Sequence, residues 1–195
     1  QQDLQGIIKK YLKSFFEKNP VIAGVRDDKS LNKALKSNVI ALFILYGNIM
    51  DLPLIMEQGK EFDKLIFIHI DLIKGIGRDR AGISYLAQNN LCDGIVTTKS
   101  NLIKAANKEG LMSIQRLFLL DSAALKTGEQ FLQNNKPDAV EISPGRAAPY
   151  FIKHVDKDLL CPIIAGGLIR YKKEVDDILK QGAFAVSTSN TELWR

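Results

Sequence analysis

Two stretches near the end of the chain decide the fold: Pro162-Ile-Ile-Ala-Gly-Gly-Leu-Ile169 and Gly182-Ala-Phe-Ala-Val-Ser-Thr-Ser-Asn190. Each is a short apolar run, typical of a buried strand, that ends in residues with small side chains. Glycines let a backbone approach an anion closely, and hydroxyl residues that open a helix add donors where the helix dipole favours negative charge. Together the two stretches are interpreted as a phosphate-binding cup, a site that commonly follows strands seven and eight of a β/α barrel. The predicted phosphate-binding residues are Gly166, Gly167, Ser187, Thr188 and Ser189, the last three opening a helix.

The preceding sequence alternates apolar runs with helical periodicities, in units of about 24 residues. Predicted strands occupy residues 21–26, 38–47, 64–73, 93–98, 112–117 and 139–143. Predicted helices occupy residues 30–37, 51–62, 78–89 and 99–109, a segment that opens at 121–122, and residues 147–156. Eight strands, each followed by a helix, predict a compact (β/α)8 TIM-like barrel. An open doubly wound sheet fits the alternation equally well, although no Gly-x-Gly-x-x-Gly follows the first strand.

An extra helix is predicted at the N-terminus. Seven apolar residues recur there at helical spacing, namely Leu4, Ile7, Ile8, Tyr11, Leu12, Phe15 and Phe16. The predicted helix ends near Asn19-Pro20, and we expect it to pack against its own domain. Residues 1–195 are thus interpreted as a single TIM-like barrel domain.

Composition is that of an ordinary globular domain, with 46% apolar and 25% charged residues. The two cysteines, Cys92 and Cys161, have no paired or metal-binding spacing and are interpreted as reduced structural thiols. No apolar run approaches the roughly 20 residues of a membrane span, and no signal peptide precedes the first helix. We therefore expect a cytoplasmic protein without membrane contact. The net charge of +5 is compatible with an anionic partner, either a phosphate ligand or nucleic acid.

Polar residues collect where the predicted strands end. Asp71 shares one strand face with His69, which lies one layer deeper and is interpreted as a hydrogen-bonded core histidine. Asp71 and Glu141 are suited to accept hydrogen bonds from a small polyol, and Lys74 or Arg116 could pair with a phosphate or an acid. Further candidate site residues are Arg26, Thr98, Lys99, Gln115 and Arg116.

Familiar catalytic and metal-binding patterns are missing from the sequence. It has no Cys-His or Ser-His-Asp arrangement and only two histidines. We therefore expect no metal and no cofactor. A carboxylate and a lysine could still carry out proton transfer.

Five runs carry a family likeness. They are His69-Ile-Asp-Leu-Ile-Lys-Gly75, Ser113-Ile-Gln-Arg-Leu-Phe-Leu-Leu-Asp-Ser122, Pro137-Asp-Ala-Val-Glu-Ile-Ser-Pro-Gly145, Ile164-Ala-Gly-Gly-Leu-Ile169, and Ala185-Val-Ser-Thr-Ser-Asn190 with Leu193-Trp194. In this order they resemble the bacterial glycerol-3-phosphate-responsive antiterminator family, which regulates glycerol uptake operons. Thr97 stands where that family often has Ser, a conservative departure.

The resemblance implies a TIM-like barrel that binds sn-glycerol 3-phosphate as an effector and then binds the 5′ leader of its messenger RNA to prevent premature termination. It implies that the five cup residues hold the phosphate and that Asp71, Lys74 and Glu141 address the glycerol end. No motif marks the RNA surface. Candidate basic residues near the site are Lys99, Lys104, Arg170, Lys172 and Lys173.

Two other functions stay open at this point. One is a phosphate-ester enzyme on the same barrel, of the glycerol-phosphate prenyltransferase, sugar-phosphate isomerase or aldolase type, with Glu141 and Lys74 as acid and base. The other is a phosphate-ester sensor that acts through a protein partner. For the RNA switch, the ligand must favour the RNA-competent state. Ordering of the loops after strands three, seven and eight, or assembly of a homodimer, would supply that difference.

Overall fold

The chain folds into a closed barrel of eight parallel strands. A computed structural model describes Ser14 and residues 16–195. The strands pair in sequence order, and the last pairs with the first, so that the sheet has no edge. This closure confirms the (β/α)8 prediction and excludes the open sheet. The strands are β1 Val21–Val25, β2 Ala41–Ile44, β3 Leu65–His69, β4 Gly94–Thr97, β5 Met112–Phe118, β6 Ala139–Ser143, β7 Ile163–Gly166 and β8 Ala185–Thr188.

Helices follow the first seven strands. They are α1 Asp28–Leu35, α2 Leu52–Glu61, α3 Arg80–Gln88, α4 Ser100–Glu109, α5 Ser122–Asn135, α6 Ala148–His154 and α7 Lys172–Lys180. Three begin at an aspartate whose carboxylate accepts a backbone amide of the first turn: Asp27, Asp79 and Asp121 cap α1, α3 and α5. No helix in the described ranges is both long and apolar enough to span a membrane.

Alternation along the strands separates two packing layers. Side chains such as Ile66 and Ile68 point outward and pack under the helices, whereas Phe67 and its neighbours on other strands point into the barrel. Phe16 closes the amino end of the barrel, with its ring 5.3 Å from that of Phe184. The amino half of the interior is therefore apolar, and the inward-facing polar side chains lie toward the carboxyl end.

The predicted N-terminal helix lies mostly outside the described residues. Of its seven apolar positions only Phe16 is described, and it is helical, as are Ser14 and residues 17–18. The other six positions lie outside the described residues: Leu4, Ile7, Ile8, Tyr11, Leu12 and Phe15.

The prediction that a helix opens at residues 187–189 is wrong. A short 3-10 turn, Thr191–Leu193, follows β8 instead. The Asn190 carboxamide oxygen accepts the Glu192 amide at 3.1 Å, and the Trp194 indole donates to the Thr188 carbonyl at 2.9 Å. These two contacts fold the chain back onto the strand that it has just left.

Candidate ligand site at the carboxyl end of the barrel

A cavity of about 390 Å³ opens at the carboxyl end of the barrel. It lies between the ends of β1, β5, β6, β7 and β8, on the face where β/α barrels place their ligands. The cavity brings together seven of the predicted site residues: Arg26, Arg116, Glu141, Gly167, Ser187, Thr188 and Ser189.

The β7 loop, residues 167–171, forms one wall of the cavity. Gly167 and Leu168 both have positive φ, +88° and +58°, which turns the chain sharply and leaves the Leu168 side chain 73% exposed. Within the described ranges, the amides of Gly167, Leu168 and Ile169 donate no hydrogen bond. Unpaired backbone N–H groups in such a turn form an anion-binding concavity.

Glu174 in the first turn of α7 holds the β7 loop in place. Its carboxylate accepts the amides of Arg170 and Tyr171 at 2.8 and 2.9 Å, and it pairs with the Arg146 guanidinium. The Arg146 hydrogen bond, followed by these two amides, lowers the pKa of Glu174 to about 2. We did not predict Glu174 from the sequence, although a glutamate three residues after Tyr171 fits a helix N-terminus.

The polar residues at the end of β8 and just after it have two roles. Thr188 donates to the Ile169 carbonyl at 3.0 Å, and the Asn190 carboxamide donates to the Arg170 carbonyl at 2.7 Å, so both fasten the β7 loop to β8. Ser189 is exposed, and its oxygen accepts the Arg26 Nε at 3.0 Å. The Ser189 hydroxyl proton and the outer face of the Arg26 guanidinium therefore remain available to a ligand.

Glu141 is a buried carboxylate in the cavity wall. Its Oε1 accepts the Ser187 hydroxyl at 2.9 Å. Burial raises the pKa of Glu141, opposed by the charge of Arg116 and by the Ser187 hydrogen bond. A Cβ on Gly166 would overlap the Glu141 Oε1 and the Ser187 oxygen. Gly166 thus leaves the space that this pair occupies, and it does not itself line the cavity.

Arg116 reaches across the barrel interior to His69. Its Nη1 lies 3.2 Å from His69 Nε2, and because arginine only donates, the imidazole accepts there and carries its proton on Nδ1. Burial, followed by the Arg116 charge, lowers the pKa of His69. His69 Nδ1 and Arg116 Nε have no hydrogen-bond partner among the described residues. Two buried donors are therefore unsatisfied inside the barrel.

The remaining predicted site residues lie on the same face but outside the cavity wall. The Asp71 carboxylate accepts the Thr98 amide at 3.0 Å and the Thr97 hydroxyl, which ties the 3-10 turn after β3 to the end of β4. Gln115 is buried and donates to the Thr98 carbonyl at 3.1 Å. Lys74 and Lys99 are exposed, and within the described ranges their ammonium groups contact no acid.

The donors around the cavity suit a small anion with hydroxyl groups. Amides, Arg26 and Ser189 can donate to phosphate oxygens, and Glu141 can accept from a hydroxyl. Within the described part of the chain, no three His, Cys, Asp or Glu side chains converge as a metal site would require.

Comparison with known proteins identifies the family. Residues 21–194 match the profile of the glycerol-3-phosphate responsive antiterminators. The uncharacterized protein YgcP of Escherichia coli is 36% identical over 176 residues, which are 90% of this chain and 92% of that protein.

Two solved structures are similar over nearly their whole length. The glycerol uptake operon antiterminator regulatory protein of Listeria monocytogenes has a TM-score of 0.83 and 31% identity, covering 90% of this chain and 95% of that one. A glycerol uptake operon antiterminator-related protein of Thermotoga maritima has a TM-score of 0.80 and 29% identity, covering 89% and 96%. The chain described above therefore belongs to the glycerol-3-phosphate responsive antiterminator family.

Proposed function

We propose that this protein is a regulator, not an enzyme, that binds sn-glycerol 3-phosphate at the carboxyl end of its barrel. The loaded protein then binds the messenger RNA leader of a glycerol uptake operon in the cytoplasm and prevents premature transcription termination. The observation that carries the proposal is the cavity itself, which is lined by the β7 loop with its unpaired amides, by Arg26 and by the buried Glu141. Family membership supports the regulatory role.

The phosphate end of the ligand would occupy the side of the cavity formed by β7, β8 and β1. The backbone amides of Gly167, Leu168 and Ile169 provide hydrogen-bond donors. Arg26 adds a cation that Ser189 holds in place. Charge-assisted hydrogen bonds of this kind are roughly twice as strong as neutral ones. In this arrangement Thr188 contributes indirectly, because its hydroxyl fixes the loop.

The glycerol end would lie toward the barrel centre, near Glu141 and Arg116. A buried carboxylate accepts hydroxyl protons well, and Ser187 orients it. Asp71 would contribute by holding the ends of β3 and β4 together, and Lys74 by approaching from the rim. An isomerase would need Glu141 and Lys74 as acid and base, but only Glu141 lines the cavity and Lys74 does not. This separation supports binding without turnover.

Calorimetric titration with sn-glycerol 3-phosphate, beside glycerol and inorganic phosphate, tests the proposal. We expect a dissociation constant between about 1 µM and 1 mM, roughly −8 to −4 kcal/mol, with selectivity over both fragments. The same mixture is then assayed for product, and none is expected. Next, a labelled leader transcript is titrated with and without the ligand, and the ligand should tighten RNA binding. Failure to bind, or conversion of the ligand, would refute the proposal.

A further inference from the structure

Several exposed apolar side chains lie on the carboxyl-end face, which comprises the residues at and just after the carboxyl ends of the barrel strands. Met50 is 82% exposed, Leu120 79% and Leu168 73%, and they follow three different strands. Leu72, Phe118 and Tyr171 add three more exposed side chains on this face. Single exposed apolar residues are ordinary, but six on the one face that also bears the ligand cavity indicate an interaction surface.

The same face offers unpaired positive charge. Lys74, Lys99 and Arg170 are exposed, and no described acid pairs with their side chains. The aspartates of these connections are engaged by local donors. Asp51 accepts the Asn48 amide, Asp71 accepts the Thr98 amide, and the others cap helices as described above. Carboxylates held this way are turned toward the protein, whereas the lysines extend into solvent.

Resting on the function proposed above, we infer that the carboxyl-end face is the RNA-binding surface and that it takes a single-stranded segment. Unpaired bases stack on exposed apolar and aromatic side chains while neighbouring cations contact the phosphates. A duplex would leave the apolar groups without partners, because its bases are already stacked. The helix flank that carries Lys172 fits less well, since that lysine is paired with Asp176 at 3.1 Å.

This placement gives a direct route from ligand to RNA. The β7 loop lines the cavity, its first three amides have no partner among the described residues, and the Leu168 side chain is exposed to solvent. A phosphate bound by those amides fixes the backbone that carries Leu168, and thus the position of one apolar contact for a base. The ligand then favours the RNA-competent state through contacts made by a single loop, and RNA must tighten ligand binding by the same factor.

Variants that leave the cavity intact test the inference. Met50→Ser combined with Leu120→Ser removes two apolar groups that do not line the cavity. The matched control combines Phe62→Ser with Leu160→Ser, two exposed apolar residues at the amino end. Affinity for the labelled leader transcript is measured by fluorescence anisotropy at saturating sn-glycerol 3-phosphate. We expect about tenfold weaker RNA binding for the first pair and a change within about twofold for the control. Ligand affinity should stay unchanged in both.

A charge variant supplies a second readout. Lys99→Gln on the carboxyl-end face should reduce the log–log salt slope of RNA binding by about 0.7, and Lys136→Gln at the amino end should leave it unchanged. Unaltered RNA affinity in the Met50/Leu120 variant would overturn the inference and leave the proposed function standing. The same holds if this variant converts a dimer to a monomer without any change in RNA affinity. Absence of ligand-dependent RNA binding by the wild-type protein would instead refute the proposed function.

Discussion

Replacing Gly166 with Ala tests how the buried carboxylate of the cavity is accommodated. Gly166 does not have positive φ, so alanine is compatible with its backbone. Without a steric conflict this change would stabilise the fold by about 0.4–1 kcal/mol, because it restricts the unfolded chain. The added methyl would, however, overlap Glu141 Oε1 and the Ser187 oxygen.

The expected magnitude follows from what must move. Leaving the buried Glu141 oxygen without the Ser187 hydroxyl costs about 1–3 kcal/mol, and inserting a methyl into a packed interior costs about 1–3 kcal/mol. We therefore expect Gly166→Ala to lower the free energy of unfolding by about 2–5 kcal/mol. It should also weaken binding of sn-glycerol 3-phosphate, because Glu141 is displaced.

Urea denaturation of the wild type, Gly166→Ala, Glu141→Ala and the double variant measures the effect. If the methyl and the carboxylate compete for one space, the double variant should be less destabilised than the sum of the single changes, by at least about 1 kcal/mol. Additive effects, or a stabilising Gly166→Ala, would refute the steric explanation of this glycine.

Three further changes test other parts of the site. Gly167→Leu places a β-carbon 2.7 Å from the Ser143 oxygen at a φ of +88°, which costs about 1–2 kcal/mol in strain. It should abolish phosphate-ester binding in calorimetry while circular dichroism shows a retained fold. Glu174→Gln should remove stability that is present above the usual pKa of 4.5 and lost as pH falls toward about 2. Melting temperatures of the variant and wild type should therefore converge over that range, and a constant difference would contradict the assigned role. Trp194→Ala should cost about 3–5 kcal/mol in urea unfolding and Trp194→Phe clearly less, since Phe preserves most of the packing.

Strand positions and facing were predictable because they depend on local alternation. Alternation around Phe67 and Glu141 gives each a fixed face of its strand, and in the structure that face points into the barrel. Closure of the sheet was not decided by the pattern, because an open sheet buries the same faces. It depends on the pairing of Val21 with Val186, which is distant in sequence.

The site was less predictable where long-range hydrogen bonds override local preference. Asp71 follows the inward parity of β3, but the strand ends at His69, and the following turn carries the carboxylate to the Thr98 amide. The hydroxyls of Thr188 and Ser189 suggested a helix start, but Thr188 instead donates to the Ile169 carbonyl. Such partners are far apart in sequence, so the pattern of neighbouring residues does not report them.

The fastening of the β7 loop to β8 has a consequence for the energetics of recognition. Thr188 and Asn190 hold the carbonyls of Ile169 and Arg170 through hydrogen bonds within the protein itself. Little backbone entropy therefore has to be lost when the anion arrives, since folding has already restricted this loop. The site then exists only while the last strand stays docked. Ligand should accordingly slow hydrogen exchange along residues 185–194 together with the β7 loop, as one cooperative unit.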